Sequence, residues 1–261
     1  MPTFKVTLAY DGTDFVGWQR QPSGESIQGV LEDALHSFDD RDVTVTGAGR
    51  TDAGVHALGQ VAAFSLENTI DAETVARALN AKLPETIRVV SACEVPNTFN
   101  PRYDARAKTY RYRLWNGPAR SPFERRYAWH LPVALDAEAM DAAARRLEGR
   151  RDFAAFQATG SDVETTERTI MSSRVLRQAQ DERNTDALVV SLSNHQPLIV
   201  YDVTGDGFLR HMVRAVVGTL VEIGRGRRPV EWIDEVLASR DRSMAGPTVP
   251  PTGLFLVRVD Y

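Results

Sequence analysis

A glycine-bracketed stretch between two β-prone runs constrains the fold of this chain more than any other feature. Residues 47–59 read GAGRTDAGVHALG, with Val43 and Val45 before them and the run 60–66 (QVAAFSL) after them. Glycine permits positive φ and close backbone approach, and short β-prone runs on either side predict strands. The stretch is therefore expected to be a rigid loop between two strands at the rim of a sheet.

Asp52 is the only carboxylate in this loop. Arg50 stands two residues before it, so a guanidinium can hold the carboxylate ionised and oriented, as a nucleophilic aspartate requires. The simpler interpretation is an aspartate that caps a turn beside a surface arginine, and a bare Arg-x-Asp triplet usually has that role. These residues alone leave both interpretations open.

The first part of the chain alternates strand and helix patterns around this loop. Residues 4–10 are apolar at every second position, as in a half-buried strand. Ser26 and Asp71 can each cap a helix, the second ending near Pro84, and residues 87–95 return as a strand. Strand, helix, strand, loop, strand, helix, strand predicts a compact α+β unit.

Residues 99–116 are interpreted as the hinge to a second half. Within them a strand alternates Tyr110 and Tyr112 with Arg111 and Arg113, which gives one aromatic and one basic face. For Tyr112, core packing is the favoured role. The boundary is placed after residue 104, giving halves 1–104 and 105–261.

The second half repeats the strands-and-helices plan. The predicted elements are a helix capped by Asp136, strands at 188–192 and 198–203, a long helix at 207–223, a short helix at 229–239, and a polar loop at 177–187. Arg210 and Arg214 lie four apart on the long helix and are expected to share a face. Two arginines so placed most often form a solvated face.

The charge of the chain is unevenly distributed. The net charge of −4 and the pI near 5.8 argue against a nucleic-acid-binding protein when taken alone. However, residues 102–126 carry a net +6 and residues 208–228 a net +4, which leaves −14 on the rest. This segregation allows one face to bind a polyanion.

Other residue classes exclude several kinds of site. The five histidines have no spacing that suits a metal, so no metal is expected. The single cysteine, Cys93, excludes an internal disulfide, indicates a reducing compartment, and is expected to be a small core residue. No apolar run is long enough for a membrane span, and the N-terminus lacks a signal pattern.

Five segments together resemble the tRNA pseudouridine synthase A family. They are the loop GRTDAGVHALGQVAAF, residues 4–35 (FKVTLAYDGTDFVGWQRQP, then SIQGVLEDAL), residues 99–116, residues 205–218 and residues 245–257. They span nearly the whole chain, and the loop motif is specific. The resemblance implies that two ferredoxin-like halves are joined through a largely antiparallel sheet, with helices on one face and an active-site cleft between the halves.

The resemblance also assigns roles to individual residues. It implies that Asp52 is the catalytic nucleophile, that Tyr110 lies against the target uracil, and that Arg214 pairs with Asp52. Substrate contacts are expected from Arg50, Tyr110, Arg111, Arg113 and Arg210. Uridine would become pseudouridine at positions 38, 39 and 40 of the tRNA anticodon stem-loop. The reaction involves no redox change, so no cofactor is expected, and the enzyme is expected to be a cytoplasmic homodimer.

Two other functions compete with this one. An aspartate-dependent glycosidase acting on nucleosides would ordinarily use two carboxylates, and no second carboxylate stands beside Asp52. A non-catalytic RNA-binding module would have no need for Asp52 flanked by Arg50 and Thr51. Turnover on unmodified tRNA distinguishes all three functions.

Overall fold

The computed structural model describes residues 1–39, 41–158, 160, 163–177 and 197–261. The predicted strand at 188–192 and all of the predicted polar loop at 177–187 except Arg177 lie outside these residues. The helices are α1 Ile27–Asp39, α2 Ala72–Lys82, α3 Ala137–Arg145, α4 Met212–Gly224 and α5 Trp232–Ser239. The strands are β1 Thr3–Tyr10, β2 Thr46–Gly47, β3 His56–Ser65, β4 Ile87–Val95, β5 Ala107–Trp115, β6 Trp129–His130, β7 Gly149–Asp152, β8 Glu167–Arg177, β9 Leu198–Gly205 and β10 Leu254–Asp260.

The chain divides into two compact units. Unit 1 consists of residues 1–109 and 255–261, and unit 2 consists of residues 110–254. The boundary between them falls inside β5, and the C-terminal segment 255–261 groups with unit 1. The division predicted from the sequence, into 1–104 and 105–261, stays a prediction about domains.

Unit 1 is a sheet with strand order β4-β1-β3-β10, in which β2 also pairs with β3. β1 is antiparallel to both β3 and β4, whereas β10 runs parallel to β3 with Phe255 opposite His56. The alternation of β1 buries Phe4, Val6 and Leu8 completely. Helix α2 packs on β4 and contacts α1, so the helices cover the apolar side chains of the sheet.

Unit 2 contains the strand order β5-β9-β8-β7, with β6 pairing parallel to β5. β8 is antiparallel to β9 and to β7. Helix α3 packs on β8 and on α4, and α4 is buried along most of its length. Both units therefore combine helices with mostly antiparallel strands, and the predicted α+β class is confirmed.

Three helix starts agree with the predicted caps. Ser26 Oγ accepts a hydrogen bond from the Gly29 N–H at 3.1 Å at the start of α1. Asp71 accepts from the Thr74 N–H at 2.9 Å before α2, and Asp136 accepts from the N–H groups of residues 138 and 139 before α3. Each side chain satisfies backbone donors that a helix start leaves without partners.

Several predicted elements have different limits in the structure: β3 begins at His56 instead of residue 60, and α5 begins at Trp232 instead of residue 229. Val43 and Val45 are buried, but the strand before the loop is only Thr46–Gly47, because burial of alternate side chains does not require ladder hydrogen bonds. The long helix begins at Met212 instead of 207, because His211 has a left-handed backbone with φ 61°. Arg210 therefore lies outside α4, and the predicted shared helical face with Arg214 is wrong.

Two further expectations concern exposure. Cys93 is exposed on β4, so the prediction of a core cysteine is wrong: the pairing of β4 with β1 shifts register between Val89 and Ser91, and beyond this shift Cys93 lies opposite Lys5, on the other face from the buried Ile87 and Val89. Among the residues that the structure describes, no helix has the length and apolar character of a membrane span.

Candidate active site

The Asp52 loop belongs to unit 1 and is held by backbone hydrogen bonds. Trp18 N–H donates to the Thr51 carbonyl at 3.0 Å, and Gly17 and Asp52 form an isolated antiparallel bridge. Val55 N–H donates to the Asp52 carbonyl at 3.1 Å, which closes a turn after the carboxylate. The segment around Gly17 and this turn therefore fix the backbone of Asp52 from two directions.

Gly17 makes the close approach possible. Its φ is 110°, and a Cβ at this position would stand 2.6 Å from the Thr51 carbonyl oxygen. Such a contact is too short for any real side chain, and the φ is one that only glycine adopts without strain. The glycine is thus a condition for placing the 15–18 segment against the Asp52 loop.

Buried polar side chains anchor the loop from β1 and β3. The hydroxyls of Tyr10 and Thr51 are hydrogen bonded at 2.8 Å, and the fully buried Gln60 amide donates to the Gly49 carbonyl at 2.8 Å. Burial raises the pKa of Tyr10 to about 12, so its hydroxyl stays protonated near neutral pH. Within the loop that these side chains anchor, Asp52 is half-buried and Arg50 is exposed.

Lys108 is a further anchor, and sequence reasoning did not assign it to the site. Its Nζ donates to the Ala48 carbonyl at 2.7 Å and lies beside Gly49. Burial lowers the pKa of Lys108, and the positive charge of Arg102 adds to this effect. The signal in the sequence was a lysine on the face of β5 that also carries Tyr110.

The two aromatic side chains of the 15–22 segment are packed inside unit 1, whereas residues 19–22 are exposed. Phe15 and Trp18 are 6% and 3% exposed, so these rings are not available to stack on bases. A Cβ on Gly47 would stand 2.5 Å from the Trp18 ring. The indole therefore occupies the space that a side chain at residue 47 would need, and it supports the start of the loop.

Tyr110 lies in unit 2 on β5. Its side chain is 9% exposed, and its ring meets the Phe208 ring edge-on at a centroid distance of 5.0 Å. Edge-to-face contact orients one ring against another. Phe208 precedes α4, and sequence reasoning had placed it inside the long helix without assigning it a role at the site. The Phe208 ring therefore contributes to the orientation of Tyr110.

The two arginines of β5 each have a carboxylate partner in unit 2. Arg111 makes a two-pronged pair with Asp202, with both N–O distances at 2.8 Å, and this carboxylate raises the pKa of Arg111. Arg113 lies 2.9 Å from a Glu124 oxygen. Their predicted role as substrate contacts stays a prediction, and any anion would have to compete with these carboxylates.

Arg214 stands in the first turn of α4, where its Nε donates to the Val249 carbonyl at 2.7 Å. The neighbouring Pro250 carbonyl accepts a hydrogen bond from the Tyr112 hydroxyl at 2.8 Å. Tyr112 is fully buried, which raises its pKa, while the charge of Arg214 acts in the opposite direction. Two successive carbonyls of one loop therefore orient a cation and a buried phenol.

That loop, residues 244–250, is locked against α4 by backbone contact. Gly246 N–H donates to Thr219 Oγ1 at 2.8 Å, and a Cβ on Gly218 would stand 1.8 Å from the Pro247 carbonyl oxygen. Arg242 donates to the Gly246 carbonyl and to Thr248 Oγ1. We call residues 244–250 the closing loop. Its contacts place the Val249 carbonyl at a fixed distance from α4.

The predicted site residues are thus distributed over both units. Arg50 and Asp52 share one loop of unit 1, whereas Tyr110, Arg111, Arg113, Arg210 and Arg214 belong to unit 2. Arg210 is exposed, and its backbone carbonyl accepts from the Ala158 N–H at 3.0 Å.

Within the described part of the chain, no group of three or more acidic, histidine or cysteine side chains could hold a metal ion. The expectation of a metal-free, cofactor-free site stays an expectation.

Comparison with known proteins identifies the family. The family model described as tRNA pseudouridine synthase matches residues 7–104 and 143–261. Proteins named tRNA pseudouridine synthase A from Myxococcus xanthus and Moorella thermoacetica are each 46% identical to this chain and align with all of it, over 92% and 100% of their own lengths. The corresponding protein of Geobacter sulfurreducens is 44% identical over the full length of both chains.

A solved structure titled "Crystal Structure of a Cbf5-Nop10-Gar1 Complex" also matches, with a TM-score of 0.33 and 13% identity over 84% of this chain and 45% of that chain. A similarity this weak carries no argument. The sequence relatives, by contrast, are similar to this chain from end to end. On the family model and these relatives, this chain belongs to the tRNA pseudouridine synthase family.

Proposed function

We propose that this protein converts uridine to pseudouridine at positions 38, 39 and 40 of the tRNA anticodon stem-loop, with Asp52 as the nucleophile. Family membership makes the protein an isomerase that acts on tRNA. The choice of positions and the role of Asp52 rest on the family resemblance. The observation that supports Asp52 most strongly is its placement: a half-buried carboxylate on a loop anchored by Tyr10, Gln60 and Lys108.

The reaction rearranges bonds without adding or removing atoms. The bond between uracil N1 and ribose C1′ breaks, the base rotates, and a bond forms between C5 and C1′, while a proton leaves C5 and N1 gains one. A carboxylate held in fixed geometry is suited to covalent catalysis because its orientation costs little at the moment of reaction. Attack at ribose C1′, attack at uracil C6 and assisted elimination are all compatible with this position.

The other site residues are proposed to position the uracil base, orient the Asp52 carboxylate and bind the tRNA phosphates. We infer that the Tyr110 ring, oriented by Phe208, stacks on the target uracil, and that its hydroxyl moves the C5 proton. Arg214, oriented by the Val249 carbonyl, pairs with Asp52 and orients its carboxylate. Arg50, exposed on the loop, contacts a phosphate beside the flipped nucleotide. Arg111, Arg113 and Arg210 supply further phosphate contacts.

The test is Asp52→Asn, which preserves size and removes the charge. If Asp52 is the nucleophile, tritium release from C5-labelled uridine in tRNA should fall by many powers of ten, while tRNA affinity should stay the same or improve because a negative charge is lost. The matched control is Asp71→Asn, the same change at the cap of α2. Asparagine and aspartate are equivalent as caps, so this variant should keep full activity.

An Asp52→Asn enzyme as active as Asp71→Asn would return Asp52 to a turn-capping role. A wild-type protein that binds tRNA without turnover would instead be an RNA-binding module, and one that releases free uracil would be a glycosidase. We further propose, from the resemblance alone, that the enzyme is a homodimer of the cytoplasm and that each tRNA touches both subunits. Sedimentation as a monomer at working concentrations would refute the dimer.

A further inference from the structure

Phe123 has the most exposed large hydrophobic side chain in the described part of the chain, at 86%. It lies in the segment 117–128 between β5 and β6, which reads GPARSPFERRYA. A single exposed apolar residue is common on protein surfaces. The setting of Phe123 is what distinguishes it, since the segment around it is ordered by its own side chains.

Two arginines hold the backbone on either side of this ring. Arg120 Nη2 donates to the Arg125 carbonyl at 3.0 Å, and Arg125 Nη1 donates to the Pro122 carbonyl at 3.1 Å. Pro122 precedes the phenylalanine and fixes its own φ. Glu124 carbonyl accepts from the N–H groups of residues 127 and 128, both at 2.9 Å. The segment therefore presents the Phe123 ring to solvent in a fixed turn.

The base of the segment is also fixed to unit 2. Trp115 Nε1 donates to the Ala119 carbonyl at 2.8 Å, and a ring nitrogen of His130 lies 2.9 Å from the Gly117 carbonyl. The Glu124 carboxylate pairs with Arg113. A mobile loop would let the ring fold back onto apolar surface, whereas these bonds prevent it from doing so.

The charge around the ring is positive. Arg120 and Arg125 are exposed, and neither guanidinium has a carboxylate partner among the residues that the structure describes. Each guanidinium has five donors and spends one of them on a carbonyl. An exposed aromatic ring between such cations matches single-stranded RNA, because the ring stacks on a base and the cations bind phosphate.

A second copy of the chain matches this surface less well. A two-fold contact centred on Phe123 would bring Arg120 and Arg125 of one copy against the same arginines of the other. Like charges placed opposite each other oppose association. An RNA partner brings phosphates to the same cations and a base to the ring, so the charge favours RNA.

We propose that Phe123 is a stacking residue for an unpaired nucleobase of the tRNA, with Arg120 and Arg125 binding the adjacent phosphates. This contact is additional to Asp52, Tyr110 and Arg214 and contributes affinity, not chemistry. The proposal rests on the proposed function only in taking tRNA as the ligand.

The test compares Phe123→Ala, Phe123→Leu and Phe123→Trp for binding of an unmodified tRNA transcript. Loss of one base–aromatic stack should weaken binding by about 5- to 150-fold in the alanine variant. Leucine, which is apolar without a π face, should be nearly as weak, and tryptophan should restore wild-type affinity. KM should rise in parallel with Kd, and kcat at saturating tRNA should stay unchanged. Val90→Ala, which shortens a side chain 62% exposed on β4, is the control and should bind normally.

Wild-type affinity in the alanine variant would overturn the proposal. Restoration by leucine as well as tryptophan would also overturn it, because apolar burial would then suffice. A shift to smaller particles in sedimentation, in step with the loss of affinity, would assign Phe123 to a contact between subunits instead. The binding assay does not depend on turnover. If the Phe123 variants lose tRNA affinity but the wild-type protein does not modify uridine, the proposed function is refuted and the stacking proposal stands.

Discussion

Gly218→Ala should separate the effect of the closing loop on catalysis from its effect on stability. A Cβ at Gly218 would stand 1.8 Å from the Pro247 carbonyl oxygen, and real Cβ atoms essentially never approach closer than 3.0 Å. Helix α4 and the loop must therefore separate by at least about 1.2 Å. If the Val249 carbonyl follows, its distance from Arg214 Nε grows from 2.7 Å to about 3.9 Å, which breaks the hydrogen bond.

Gly218→Ala should have a small effect on the free energy of unfolding and a large effect on the reaction rate. Overpacking costs about 1–3 kcal/mol, and replacing a helical glycine by alanine returns about 0.5–1 kcal/mol, so the variant should still fold. A misplacement of about 1 Å near reacting groups can cost about 100-fold in rate. We therefore expect kcat to fall by roughly that factor in single-turnover tritium-release assays, while tRNA affinity and far-UV circular dichroism are preserved.

The control is Gly224→Ala on the same helix. There the new Cβ would meet Met140 Cγ and Sδ at 2.7 Å, and the flexible methionine side chain can move away. Its activity should equal that of the wild type. In an Arg214→Ala background, Gly218→Ala should add little further loss, because the residue through which it acts is already gone. A folded Gly218→Ala enzyme with wild-type kcat would refute the reasoning.

Three other predictions follow from the site and the charge distribution. Tyr110→Phe should lose about 10²- to 10⁴-fold in kcat with its fold intact, since only the hydroxyl is removed; near-normal turnover would exclude proton transfer by Tyr110. The free energy of unfolding should fall above pH 10, because the pKa of an unfolded tyrosine is near 10 whereas burial raises the pKa of Tyr10 to about 12. The difference corresponds to a loss of roughly 3 kcal/mol by pH 12, and urea titrations across this range should show that Tyr10→Phe removes this loss. Binding of tRNA should weaken steeply with salt despite the acidic pI, and salt-independent affinity would refute the predicted phosphate contacts. Arg228→Glu should weaken tRNA binding more than charge reversal at Arg225 or Arg227, because those two arginines already pair with Glu222.

The local parts of the fold could be predicted from the sequence because their causes are local. A capping side chain such as Asp71 and the two-residue alternation of β1 act over a few positions. The α+β class followed from the order of such elements. The limits of α4 could not be predicted, because the left-handed backbone of His211 leaves no trace in the apolar spacing.

Site residues whose side-chain type indicates a chemical role could be predicted from the sequence. Residues that act only through their position in the fold could not. Asp52 is the single carboxylate in a glycine-bracketed loop, so its candidacy was visible in the sequence. Phe208 and Lys108 act through a ring contact and one hydrogen bond across long stretches of chain, and side-chain type does not reveal such partners. The closing loop could be assigned only a packing role, because its contact with Gly218 depends on tertiary placement.

The parallel pairing of β10 with β3 has a consequence for the order of folding during synthesis. Phe255 and Leu256 pair with His56 and Ala57, and the Phe255 ring stacks on His56 at 4.7 Å. His56 in turn accepts a hydrogen bond from the Gly12 N–H. Domains fold as their residues leave the ribosome, yet unit 1 lacks this strand until some 145 residues of unit 2 have been made. The half of the enzyme that carries Asp52 is translated first and completed last.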